Sequence, residues 1–141
     1  MPTTFTTSYS PSQRLDYLFP EPSHPEINAA LVPGTYAKGT ILGEVTATPG
    51  TYKAYASASV DGSQNPALIL MYACVVDGSG NISLGTSTTG GEFGQSFGKA
   101  APAYYGGTFR CQEIVGLDAN AVTKLAGKLV EGTVTNGIFQ F

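Results

Sequence analysis

The chain has 141 residues and a formal net charge of −3, and only 12% of its residues are charged, about half the usual share of roughly 25%. That length fits one domain with a hydrophobic core of its own plus a short tail. With a net negative charge and no Lys/Arg cluster, phosphate-driven nucleic-acid binding is not expected, and the longest apolar run, 67–76 (ALILMYACVV), is too short to span a bilayer. The surface is left to Thr, Ser, Gly, Asn and Gln, which suits close packing against neighbouring subunits.

In chain order, residues 1–32 read as an extended arm and 33–141 as a folded body. Six of the nine prolines (Pro2, Pro11, Pro20, Pro22, Pro25 and Pro33) fall at or before the boundary, and that density removes amide donors and forbids a regular helix or central strand. The arm is not a plain spacer, because it carries Phe5, Tyr9, Leu15, Tyr17, Leu18, Phe19, Ile27 and Leu31, whereas solvated linkers are poor in aromatics. Such anchors predict that it lies along a surface, its own body's or a partner's. Within it, Thr3, Thr4, Phe5, Thr6, Thr7 and Tyr9 alternate β-branched and aromatic residues with no proline between Pro2 and Pro11. That stretch is long enough to add one strand to an exposed sheet edge.

In the body, 40–46 and 51–58 read as strands separated by the Pro49–Gly50 turn. A loop follows at 61–66, and 67–76 reads as one continuous buried strand. Residues 77–81 (DGSGN) form a hairpin-type turn into 82–84. Residues 85–107 are rich in Gly, Ser and Thr and read as a long loop, with one short strand near Glu92–Phe93. Residues 107–115 (GTFRCQEIV) are a further strand. One helix follows, N-capped by Asp118, with Val122, Leu125, Ala126 and Leu129 on one face and Gly132 as its stop. The end, 133–141, returns to β with an Asn136–Gly137 turn. The predicted class is α+β, mostly β: a small barrel or sandwich-like body, one helix in the C-terminal half and the Pro-rich arm.

Candidate chemistry is sparse. His24 lies among prolines, without the fixed partner and pocket that catalysis needs. The 77–81 turn resembles the start of a calcium loop, but the sixth and twelfth positions hold Ile82 and Thr88 rather than Gly and Glu. The glycines at 90–94 and 106–107 have no following helix to complete a phosphate cradle. Cys74 and Cys111 lack metal-ligand spacing and are read as buried, reduced thiols, with a disulfide as the alternative. No catalytic, cofactor or metal site is therefore expected. No basic stretch followed by an apolar one opens the sequence, so synthesis in the cytosol is expected. Arg110, mid-strand, is expected to meet a carboxylate, either in its own chain (Asp61, Glu113 or Asp118) or across a subunit interface. Tyr104 and Tyr105 precede two glycines and are candidates for an interface or for partial burial.

Three segments in this order resemble the lambda-type bacteriophage head decoration proteins: 39–46 (GTILGEVT), 58–63 (ASVDGS) leading into 67–70 (ALIL), and 107–110 (GTFR) followed by Ile114, an Asp-capped helix, a closing Gly and a β end. The resemblance implies a compact α+β body. It implies homotrimers on the outside of an expanded capsid, in a virion assembled in the host cytoplasm, and an arm that orders on the major capsid protein. Arg110, Tyr104 and Tyr105 are then candidate trimer contacts. The arm is longer and more aromatic than in the family's plainest members, and 85–107 has no counterpart there. Two rival expectations are another β-rich virion component of tail, neck or fibre, and a carbohydrate-binding module using Tyr104 and Tyr105.

Overall fold

The computed structural model describes residues 25–85 and 96–141. The class is as expected, β-rich with a single α-helix among the described residues. Its centre is a closed barrel of β1 (Glu26–Leu31), β3 (Ile41–Glu44), β4 (Thr51–Ala54), β5 (Pro66–Leu70) and β9 (Ala101–Tyr104), in the order β1-β4-β3-β5-β9. A sheet of β2 (Gly34–Tyr36), β6 (Cys74–Val76), β7 (Ile82–Leu84) and β8 (Ser96–Gly98) lies beside it. The C-terminal layer is the sheet of β10 (Thr108–Arg110), β12 (Ile138–Gln140) and β11 (Lys128–Glu131), together with a 3-10 turn at Cys111–Glu113 and helix α1 (Ala119–Lys124).

The body begins earlier than the arm boundary at residue 32 places it. Between Pro25 and Pro33 the chain is free of proline, long enough for a strand, and carries Ile27, Ala29 and Leu31 at alternate positions. This stretch is β1, and it closes the barrel with both edges. Its first half runs antiparallel to β9 (Glu26 opposite Tyr104, Ala29 opposite Ala101). Its end runs parallel to β4 (Ala30 opposite Thr51, Leu31 opposite Tyr52).

Period-two alternation explains why β3 and β5 read as continuously apolar. Both of their faces are covered, as in sheets sandwiched between layers. Leu42, Leu68 and Leu70 face the barrel interior with Ala29, Leu31, Ala101 and Ala103. Tyr36, Cys74, Val76 and Ile82 of the neighbouring sheet extend that core. Ile41 and Ile69 face outward into a second core beneath the C-terminal layer, with Cys111, Ile114, Ala121 and the fully buried Phe139. The cysteines thus sit in different cores and are both free. Burial raises both thiols, Cys74 to about 11.

Four further expectations are corrected. The run 67–76 is two strands broken at residues 71–73, after which β6 joins a different sheet. The segment 85–107 is not one loop: it supplies β8 and the barrel strand β9. The strand expected near Glu92–Phe93 lies outside the described residues. The helix is shorter than its apolar face suggested. Asp118 caps it by accepting from the Ala121 N–H at 2.7 Å. It stops at Leu125, not Gly132, in a Schellman motif in which Ala126 N–H donates to the Thr123 carbonyl (3.1 Å) and Gly127 N–H to the Val122 carbonyl (3.0 Å). Ala126 takes the left-handed conformation, φ 55°, normally given to glycine. Leu129 is therefore a β11 residue packed against the second core. The 107–115 strand likewise ends at Arg110, where the 3-10 turn begins.

Gly39 joins the barrel to the C-terminal layer. Its N–H donates to the Leu70 carbonyl at 2.9 Å, and its carbonyl accepts from Val115 N–H at 2.8 Å. Its φ is +83°, and a Cβ there would collide with the Glu113 carbonyl oxygen. Replacing Gly39 by Ala therefore adds left-handed strain to a backbone clash, and a loss of more than about 2 kcal/mol is expected in chemical denaturation. Ala126→Gly has the opposite sign and should gain about 0.5–1 kcal/mol by relieving the left-handed Ala. Equal stability of either variant and the parent contradicts these assignments. The separated cores make a second prediction. Native protein should resist alkylation at neutral pH, and denatured, non-reduced protein should take the label at both cysteines; an unlabelled denatured chain indicates a disulfide.

Candidate functional site

The candidate surface lies where β9 ends and the arm enters. Tyr104 is the last residue of β9 and packs on Phe109 with ring centroids 5.6 Å apart at 51°. Phe109 stacks on Phe141 (5.8 Å), which stacks on Phe139 (5.4 Å). This row explains the aromatic C-terminal sequence: β10 and β12 pair with Phe109 opposite Phe139, so their rings share one face. Tyr104 therefore serves the second core. Tyr105, the next residue, is 55% exposed. The two tyrosines do not form a shared stacking platform.

Tyr105 N–H donates to the Pro25 carbonyl at 3.0 Å, at the root of the arm. Gly106 lets the chain pass closely, since a Cβ there would lie 3.3 Å from both the Phe141 carbonyl oxygen and Pro25 Cγ. Gly107 and Phe141 exchange backbone hydrogen bonds of 2.9 and 3.0 Å. The arm root, Tyr105 and Phe141 thus gather at one end of the barrel. The arm residues Thr3, Thr4, Phe5, Thr6, Thr7 and Tyr9, like His24 and the glycines at 90–94, lie outside the described residues.

Beside this end is a small apolar cleft of about 100 Å³, lined by Ile69, Met71, Tyr104, Phe109 and Ile114, with Lys38, Arg110 and Glu113 also contributing. Two of the three residues singled out for an interface, Tyr104 and Arg110, meet here. Arg110 Nη1 lies 3.5 Å from Glu113 Oε2, a long single contact between partly exposed groups, and pairs of this kind add little stability. Of the three carboxylates considered for Arg110, Glu113 is the intrachain partner. Asp61 pairs with Lys53 (2.7 Å) and Asp118 caps α1. Lys38 and Met71 were missed by sequence reasoning. Met71 sits in an apolar run with no Gly or Pro to reveal the break that brings it to the cleft.

Two polar clusters hold loops in place. Asp77 Oδ1 accepts from the Ser79 and Asn81 N–H groups at 2.8 and 2.9 Å. The same backbone donors lower its pKa, Asn81 first. The carboxylate thus closes the β6–β7 hairpin. Asp61 accepts from Lys53 Nζ at 2.7 Å, from the Ser59 and Ser63 hydroxyls at 2.6 Å each, and from Ser63 N–H at 3.0 Å. Lys53 foremost, then the serines, hold its carboxyl well below the usual carboxylate range. This network presses the loop onto β3, where a Cβ on Gly43 would lie 2.6 Å from the Ser63 carbonyl oxygen. At the other edge, Tyr55 OH donates to Asp118 Oδ1 and accepts from Asn120 Nδ2, each at 3.1 Å, fixing α1 to the barrel.

No family model, curated protein or solved structure matches the chain.

Because the folded-state pKa of Asp61 is depressed, its stabilising contribution is complete above the unfolded value of about 3.9 and is lost as pH falls through the folded value. Asp61→Asn should melt at a lower temperature than the parent at pH 7, and the gap should narrow as the pH drops below about 4. A gap that is absent at pH 7, or that persists unchanged in acid, rules out the charged network as the loop's anchor.

Proposed function

We propose that this chain is a capsid-stabilising decoration protein that binds the outside of an expanded phage capsid as homotrimers. The observation that carries the reading is that the three segments resembling that family form one packing unit. Residues 39–43 meet Glu113 and Val115 through Gly39, and meet the 61–65 loop through Gly43. The strand Thr108–Arg110 leads directly into the 3-10 turn that carries Glu113. Residues that matched only by order in the sequence are thus neighbours in space, as parts of a shared fold are expected to be.

The arm supplies the docking element. The barrel is closed and offers no edge of its own; on this reading residues 3–9 add a strand to a sheet edge of the major capsid protein, which satisfies their backbone donors. Arg110, only weakly engaged by Glu113, is available for a fork-type contact with a carboxylate of the adjoining subunit, with Tyr105 exposed nearby. Stabilisation follows by linkage, because the protein binds the assembled lattice and not the dissociated subunits. Symmetry multiplies each weak contact.

Deleting residues 1–14 should leave the barrel folded and greatly weaken co-sedimentation with undecorated expanded capsids. Deleting residues 1–31 removes the closing strand and should abolish folding. Unchanged capsid binding by the shorter deletion rules the arm out as the docking element. Cryo-EM density confined to fivefold or tail positions overturns the trimer reading.

A further inference from the structure

We propose that Asn136–Gly137 is a latent modification site: the folded outer layer keeps it unreactive, and Asn136 loses its side-chain amide, by cyclisation through the backbone, when β12 detaches. The capsid reading makes no use of this turn, and the inference stands apart from it.

Glycine after asparagine favours this chemistry, because no Cβ shields the attacking nitrogen. The chain has five asparagines, and Asn136 alone precedes a glycine; the others precede Ala29, Pro66, Ile82 and Ala121. In the reaction Gly137 N gives up its proton to base and forms a bond to Asn136 Cγ. The Cγ–Nδ2 bond breaks, and the nitrogen takes up a proton and leaves as ammonia. The resulting succinimide ring takes up one water. It opens at one carbonyl to aspartate or at the other to isoaspartate, whose main chain runs through the side-chain carbon.

Asn136 is exposed, so solvent and base reach its carboxamide. The nitrogen of Gly137 is the part withheld. Gly137 N–H donates to the Thr133 carbonyl at 2.6 Å, and Asn136 N–H donates to Thr133 Oγ1 at 3.2 Å. The Gly137 carbonyl accepts from Cys111 N–H at 2.8 Å. Gly137 is also buried against backbone: a Cβ there would collide with the Glu131 carbonyl oxygen and lie 2.6 Å from the Thr133 carbonyl oxygen. Gly132 is equally close, since its own Cβ would lie 2.7 Å from Gly137 Cα. The nitrogen therefore cannot swing onto Cγ without losing its acceptor and turning inside a cage of backbone atoms. Release means detaching β12, because Ile138 is paired with Arg110 on one side and with Glu131 on the other, and Phe139 is fully buried in the outer core. The native protein then reacts through an opening whose free energy sets the rate. Isoaspartate lengthens the main chain by one methylene where the turn has no spare room, so chains that open and react this way do not regain the turn.

The test incubates full-length protein at mildly alkaline pH, digests it with trypsin and scores the peptide 129–141 for aspartate and isoaspartate at position 136. Native protein should react more than about a hundredfold more slowly than the same chain in denaturing urea, as opening of a central strand requires. Phe139→Leu, which weakens the anchor of β12, should react about tenfold faster than the parent under native conditions. Where that variant does not fold, the parent's rate should instead climb with urea below its unfolding midpoint. Asn136→Gln should give a peptide free of the acid product in both states. Equal rates in native and denatured protein overturn the proposal. So does a native rate indifferent to both Phe139→Leu and urea, a denatured chain that stays unmodified, or acid product that persists in Asn136→Gln.

Discussion

The fold depends on backbone meeting backbone along β3. On one side the 61–65 loop crosses so closely that Gly43 has no room for a Cβ, and just before the strand Gly39 brings the C-terminal layer within hydrogen-bonding distance of the barrel. Between them, Ile41 and Leu42 point to opposite cores. A four-residue strand therefore anchors the loop, the barrel interior and the outer layer at once. The two glycines are more constrained than the apolar residues, because a core can absorb a change of side-chain shape while a carbonyl oxygen cannot yield to a methyl group.

Closure of the barrel by β1 is the second constraint. A strand that pairs antiparallel on one edge and parallel on the other turns a four-strand sheet into a ring without free edges. It also fixes where the arm departs, because Pro25 is held by Tyr105 at the first pair of the strand. Edge protection continues in the outer layer, where the exposed edge strand β11 carries Lys128 and Glu131 and a register shift between Leu129 and Glu131. Such irregular, charged edges resist adventitious strand pairing. A surface with few charges can then stay open to chosen contacts without inviting sheet extension there.

Much of this was legible in the sequence, and the remainder failed for physical reasons. The Pro49–Gly50 turn, the Asp77 hairpin, the Asp118 cap and the β-rich class all follow from local chemistry, in which one or two side chains dictate the backbone. The arm boundary was misplaced because proline density was averaged over 1–32, although the proline-free 26–32 stretch held an alternating strand. The break at 71–73 leaves no local trace: strands buried on both faces lose their polar alternation, so two of them in series look like one. The helix stop was misjudged because Ala126 occupies a position where glycine is expected, while Gly132, the conspicuous glycine, serves a close approach to Gly137 in the following turn. In the candidate surface, Tyr104 and Arg110 could be singled out as unusual residues in their settings. Lys38 and Met71 could not, because only the tertiary fold carries them to the cleft.

The two cores are tied to each other through the same few residues. Ile41 and Leu42 are adjacent in β3, and one feeds the outer core while the other feeds the barrel interior. Packing of Tyr104 on Phe109, and of Phe109 on Phe141 and Phe139 in turn, makes the last residue of β9 part of the outer core. The hydrogen bond from Tyr105 N–H to the Pro25 carbonyl then fastens the entry to β1, the barrel's closing strand, at that same place. Close-packed interiors transmit a change of shape to their neighbours. Substitution at Tyr104 or Phe109 would therefore register in the outer core and at the closing strand together, although neither residue lies in β1.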